Sequence, residues 1–274
     1  MNLRLWSRQI DAIVRLELKK YVFGRRWLGV YLLGLAPVFL FAMRALISTQ
    51  RWIQLRDSMD ILDVIYASFF QLYLLRFGIF FGCLHIFTQL FRGEILEKTL
   101  HYYLLVPVRR EVLAIGKYLA GLVTATAVFA GATIATYVLM FVPAGAEAVN
   151  RFFFEGPGLQ HLGRYVAVAM LACLGYGALF LLLSVFFRNP KAPALLFLGW
   201  ESMNFVLPAF LQKFSVVHYL QSICPVTIPR GPLAVITAPT SAWYSVPGLL
   251  ILTLAILAVA SVRIRRVQIT YSAD

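Results

Sequence analysis

Six long apolar runs dominate the chain, at roughly 27–47, 64–91, 113–142, 162–187, 193–212 and 243–262. Each approaches or exceeds the ~20 residues that an α-helix needs to cross a bilayer core about 30 Å thick. Between the fourth and fifth stand only Arg188, Asn189, Pro190 and Lys191, which read as a tight reversal between antiparallel neighbours. Pro190 and Pro193 stop one helix and start the next. The pattern predicts an all-α integral membrane protein, with a six-span transmembrane domain over 27–262 and a tail over 263–274.

Residues 1–26 follow another pattern. Trp6, Ile10, Val14, Leu18, Tyr21 and Val22 recur at helical spacing, with Arg4, Arg8, Asp11, Arg15 and Lys19 on the opposite face. This predicts an amphipathic helix lying in the membrane interface, its cationic side towards lipid phosphates. Gly24 before Arg25 and Arg26 makes a hinge and an anchor. A second amphipathic stretch separates runs two and three: Glu94 and Lys98 are spaced to pair on one helical face, and Leu96, Leu100, Tyr103 and Leu104 form the other. Pro107 ends that helix, and Arg109 and Arg110 mark the membrane surface beyond it. In the longest remaining loop, 213–242, the apolar start predicts a short re-entrant or surface helix before four prolines turn the chain irregular.

Composition removes the soluble alternatives. Of 274 residues, 61% are hydrophobic and 14% charged, with a mean hydropathy of +0.78. A soluble domain of that make-up would expose large apolar patches. The net charge of +13 would suggest nucleic acid in a soluble protein, but the basic residues are spread between the apolar runs and explain themselves as topology. With both termini on one side, 17 Lys and Arg fall there: 7 before residue 27, 5 over 92–117, 2 over 188–191 and 3 over 263–266. Only 6 fall on the other side, so both ends are expected to be cytoplasmic. Cys83, Cys173 and Cys224 lie far apart and form no metal or disulfide pattern. The first apolar run is too long for a signal-peptide core.

Charges inside the runs are candidates for function, because an ion in hydrocarbon is unfavourable unless something compensates it. Arg44 and Lys117 sit near run ends and can snorkel. Arg76 falls near the middle of span 2, and Glu201 near the middle of span 5 beside Ser202 and Asn204. Their similar depth permits an ion pair, within one protomer or across a dimer, with direct contact to a cargo on a translocation path as the alternative. His85 reads as a packing residue, and Gly78 with Gly82 permits close helix approach. No carboxylate pairs with a histidine at useful spacing, and no metal site is expected.

The run from Gly93 to Lys117, G-E-x-x-x-x-T-L-x-x-x-L-x-x-P-V-x-R-x-E-V-L-x-x-G-K, closely resembles the permeases of the ABC-2 type of ABC transporter. The resemblance extends to the N-terminal amphipathic helix, the six spans and the cytoplasmic ends. It implies that the loop is a coupling helix seated in a cleft of an ATPase subunit, with Glu94, Glu97, Thr99, Leu100, Leu104, Pro107 and Arg109 as contacts. Arg8, Arg15 and Lys19 of the N-terminal helix would lie beside the same subunit. A phosphate-binding loop of the form G-x-x-x-x-G-K-[ST] is not found: around Gly116 and Lys117, Glu111 stands for the first glycine and Tyr118 for the hydroxyl. The resemblance therefore implies no cofactor in this chain, ATP and Mg bound by a separate ATPase partner, and a second permease copy, a homodimer being the simpler form. It also implies a bacterial inner membrane and export of a lipophilic or amphipathic substrate. Two other readings stay open: an ion-coupled carrier using Arg76 and Glu201, and a membrane-embedded lipid-modifying enzyme.

Overall fold

The computed structural model describes residues 3–23, 27–50, 59–93, 110–187, 189–203, 209–226 and 242–265. Among them the chain is all-helical. Helix α1 (Leu3–Phe23) precedes α2 (Leu28–Gln50). The third long rod is composite: α3 (Met59–Phe69) runs through a π-helical stretch, Phe70–Ile79, into α4 (Phe80–Thr88). Then come α5 (Arg110–Phe141), short α6 (Ala146–Asn150), α7 (Gly158–Phe186) and α8 (Lys191–Ser202). The single turn α9 (Ala209–Gln212), α10 (Val216–Ile223) and α11 (Ala242–Arg265) complete the order.

Five helices are long and apolar enough to cross a membrane: Leu28–Ile47, Met59–Thr88, Val112–Ala144, Gly158–Phe186 and Trp243–Ile264. The molecule is accordingly a helical membrane protein. Four of these match expected runs closely, while the second starts at Met59 instead of 64. The added turn carries Asp60 and Asp63, and Asp63 is buried in the bundle.

The fifth expected span, 193–212, is not one straight helix. α8 has 12 residues, about 18 Å of rise, which is short of a ~30 Å core. It ends in a turn at Met203, and the backbone N–H of Val216 lies 3.0 Å from the Glu201 carboxylate. The chain has therefore returned to the level of Glu201 by residue 216. A continuous helix through 212 would have carried it well past that level. From there α10 runs beside α7 and α11: Val216 packs on Gly175, Tyr219 on Gly248, and the Val226 carbonyl accepts from the Gln71 side chain at 3.1 Å.

The core lies between the Met59–Thr88 rod, α5 and α7, and it is aromatic. Tyr66, Phe70, Phe80, Phe87, Phe129, Tyr137, Tyr165 and Tyr176 are all fully buried. Tyr66 meets Tyr137 and Tyr165 edge-on at 4.8 and 5.2 Å, and Phe80 meets Phe180 at 4.9 Å, the geometry in which aromatic quadrupoles attract. Helices α2 and α11 form the rim. Leu32 is 67% exposed and Leu254 66%, so these faces are built for lipid or another apolar surface.

Glycines let the rods approach. A Cβ on Gly82 would stand 2.1 Å from the Phe129 ring, so the Gly78/Gly82 face is occupied by span 3 of the same chain. Gly82→Ala is expected to lower stability by about 1–3 kcal/mol through overpacking, with relief when Phe129 is also shortened to Leu. Gly131 has nothing within 4 Å of its would-be Cβ, so Gly131→Ala should instead gain about 0.5–1 kcal/mol of helix stability. Thermal melting of the three variants in detergent checks both signs.

Candidate functional site

Three buried polar centres are held by this frame. For reference, the bundle end holding Asp63 and the end holding Lys117 are opposite ends of the helices.

At the Lys117 end, α1 packs along the first turns of α5. Ile13 fills the notch left by Gly116, where a Cβ would come within 2.9 Å of it, and Val14 and Leu18 pack against the core. Glu17 is on this same seated face. Its Oε1 accepts from the Lys117 ammonium at 2.8 Å, and both side chains are buried. Lys20, half-exposed, lies 3.5 Å from the same oxygen. Lys117, expected to snorkel to a surface, is instead fully buried, because α1 covers it and brings the counter-charge. The opposite face of α1 carries exposed Arg8, Arg15 and Lys19, with Arg15 paired to Asp11 at 2.9 Å.

Midway along the bundle, Glu201 closes a second network. It is 3% exposed. The Tyr176 hydroxyl donates to its Oε2, and the backbone N–H groups of Val216 and Val217 donate to Oε1 at 3.0 and 3.3 Å. The carboxylate thus caps the first turn of α10, where unpaired N–H groups and the helix dipole favour negative charge. Ser215 completes the cap by accepting from the His218 N–H at 3.4 Å.

Arg76 projects from the π-helical stretch of span 2, a local widening that recurs at functional sites. It lies near enough to act electrostatically on both Glu201 and Tyr176. The expected Arg76–Glu201 ion pair is nevertheless not among the ion pairs of the described residues; the donors that the carboxylate meets come from α7 and α10 instead. Asn204 lies outside the described residues, as do Glu94, Glu97, Thr99, Leu100, Leu104, Pro107 and Arg109.

At the Asp63 end a third centre was missed in the sequence. His161 Nδ1 is 2.6 Å from Asp63 Oδ2, and the Tyr137 hydroxyl donates to Oδ1 at 3.4 Å. The Tyr66 hydroxyl donates to the Thr133 carbonyl at 3.1 Å and lies 3.2 Å from the Thr136 hydroxyl. The Tyr165 hydroxyl is buried with no hydrogen-bond partner among the described residues. No carboxylate pairs with a histidine at local spacing, yet the fold brings Asp63 and His161 together. Asp63 and His161 are 98 residues apart, and a scan for local spacing cannot see them. This centre ties span 2 to α5 and α7. Among the described residues no group of three or more His, Cys, Asp or Glu could hold a metal ion.

Smaller assignments also change. Arg44 is no mere snorkeller, since its Nη1 donates to the Met140 carbonyl at 3.1 Å and satisfies the last turn of α5. His85 packs edge-on against Trp27 at 5.7 Å. The cysteines are free, yet Cys83 and Cys173, distant in sequence, are near enough for their thiols to interact between spans. In comparisons with known proteins, no protein-family model and no curated protein matches the chain.

Proposed function

We propose that the chain is the permease subunit of an ABC-2 type ABC transporter, exporting a lipophilic or amphipathic substrate by alternating access. ATP and Mg belong to a separate ATPase subunit. The reading starts from the resemblance carried by Gly93–Lys117 and is supported above all by the buried Glu17–Lys117 pair. That pair fastens the amphipathic helix α1 to the first turns of α5, the helix that follows the 94–109 loop. An ATPase that grips the loop helix would then move α1 and span 3 as one rigid piece. Motion applied at the membrane surface would reach the core through the Lys117 end of the bundle.

In this reading the crossing assigned to span 5 is broken. α8 supplies the cytoplasmic half, α10 the outer half, and the Glu201 carboxylate caps the junction. Broken helices at mid-membrane are a recurrent transporter device, because a helix end there presents backbone groups within the protein. Six crossings return both termini to the cytoplasmic face of a bacterial inner membrane, in accord with the 17-to-6 charge split. Two copies pair, and spans 1, 2 and the broken crossing rearrange between them. The ion-coupled carrier loses ground because Glu201 is committed to three protein donors.

Gentle purification of the tagged chain from its host, with mass spectrometry of what accompanies it, tests the proposal. The expected result is a stoichiometric partner bearing a phosphate-binding loop, lost when Glu94 and Leu100 are both replaced by Ala. Recovery of an intact complex with no ATP-binding partner overturns it.

A further inference from the structure

We infer that the Arg76 guanidinium receives the anionic head group, phosphate or carboxylate, of an amphipathic substrate, an inference that rests on the permease reading above. Arg76 has five N–H donors and no acceptor of its own. Among the described residues it makes no hydrogen bond and no ion pair. Of the other span cations, Lys117 is met by Glu17, Arg44 by the Met140 carbonyl and Arg263 by the Phe186 ring, while exposed Arg164 stands only six residues from the start of its helix. Glu201, the carboxylate that acts on Arg76, has its oxygens engaged by Tyr176, Val216 and Val217.

Position excludes the usual rescue. At the rise of an α-helix Arg76 is roughly 18 Å from Thr88 and further from Met59, beyond the reach of a snorkelling side chain. Its side chain is partly exposed at the bundle surface, where hydrocarbon offers no acceptor. A phosphate or carboxylate matches the guanidinium fork with two parallel hydrogen bonds, which a lysine could not reproduce. The nearby Glu201 charge offsets the long-range attraction. The anion is then held by directed hydrogen bonds rather than trapped by net charge, as a site that must also release its ligand requires.

The test uses the full chain, with whatever partners it retains, in phosphatidylcholine nanodiscs. A dodecyl phosphate carrying a photoreactive diazirine beside the head group is cross-linked and the labelled peptides are mapped. The expected result is labelling around residues 70–80, suppressed by excess unlabelled dodecyl phosphate. Arg76→Gln should reduce it about tenfold or more, and Arg76→Lys should fall between. A trimethylammonium probe of the same chain length should not give this labelling. Equal labelling by the cationic and anionic probes in the wild type overturns the inference without any variant, as does unchanged labelling in Arg76→Gln. Full suppression on replacing phosphatidylcholine by phosphatidylglycerol would assign the site to bulk anionic lipid and overturn the substrate role. Absence of an ATPase partner would sink the permease reading while leaving the head-group selectivity of the labelling intact, so the two failures are separable.

Discussion

Glu17→Leu is expected to destabilise the chain by about 3–5 kcal/mol, the usual penalty for leaving one member of a buried ion pair without its partner. Lys117 is fully buried against α1, so water cannot replace the lost carboxylate without prising the helix away. The double variant Glu17→Leu/Lys117→Leu should recover most of the loss, because two buried charges replaced by apolar side chains are close to neutral. Lys20→Ala, which removes the half-exposed and longer contact to the same carboxylate, should change stability by less than about 1 kcal/mol. Thermal unfolding of the four proteins in detergent, read with protease cleavage after α1, checks the order. Equal instability of the single and double variants would show that α1 is held by its apolar face alone. In the permease reading the single variant also uncouples the partner's ATP hydrolysis from transport more than it lowers hydrolysis itself.

The second large effect is at Glu201. Replacing it by Ala removes the acceptor for the Tyr176 hydroxyl and two α10 N–H groups together, in a place that is 3% exposed. The expected destabilisation is about 3 kcal/mol or more, with faster proteolysis of the 203–226 segment. Glu201→Gln keeps a carbonyl oxygen for the N–H groups, and its amide can donate to the Tyr176 oxygen. It should lose only about 1–2 kcal/mol and keep most transport. A Gln variant that folds like wild type yet transports nothing would instead favour the carrier, in which the carboxylate must take and release a proton.

Much of the architecture was legible because it depends on local composition. Runs of apolar residues place four of the five long spans closely, and helical spacing marks α1 correctly. The apolar stretch at 214–223 announces a short helix before the prolines. What escaped was the path through 193–216. Hydropathy sees both α8 and the following segment as greasy and joins them. The Glu201 cap that brings residue 216 to the level of α8's end is a contact between residues 15 apart and has no periodic signature. The candidate site was half legible in the same sense. Arg76 and Glu201, charges set within apolar runs, stood out singly, but their mutual pairing was an extrapolation from depth, and depth does not decide which donors a carboxylate meets.

The sequence alone determined that this is a helical membrane protein with an amphipathic N-terminal helix, because hydropathy and charge distribution are summed along the chain. Tertiary structure decided which charges are compensated. Lys117 meets Glu17 across 100 residues and Asp63 meets His161 across 98, while Arg76 makes no hydrogen bond or ion pair among the described residues. Those outcomes follow from which helix faces touch, a matter of glycine notches such as Gly116 and Gly82 and of the side chains that fill them. Packing at ångström scale sets them, and no one-dimensional period encodes it.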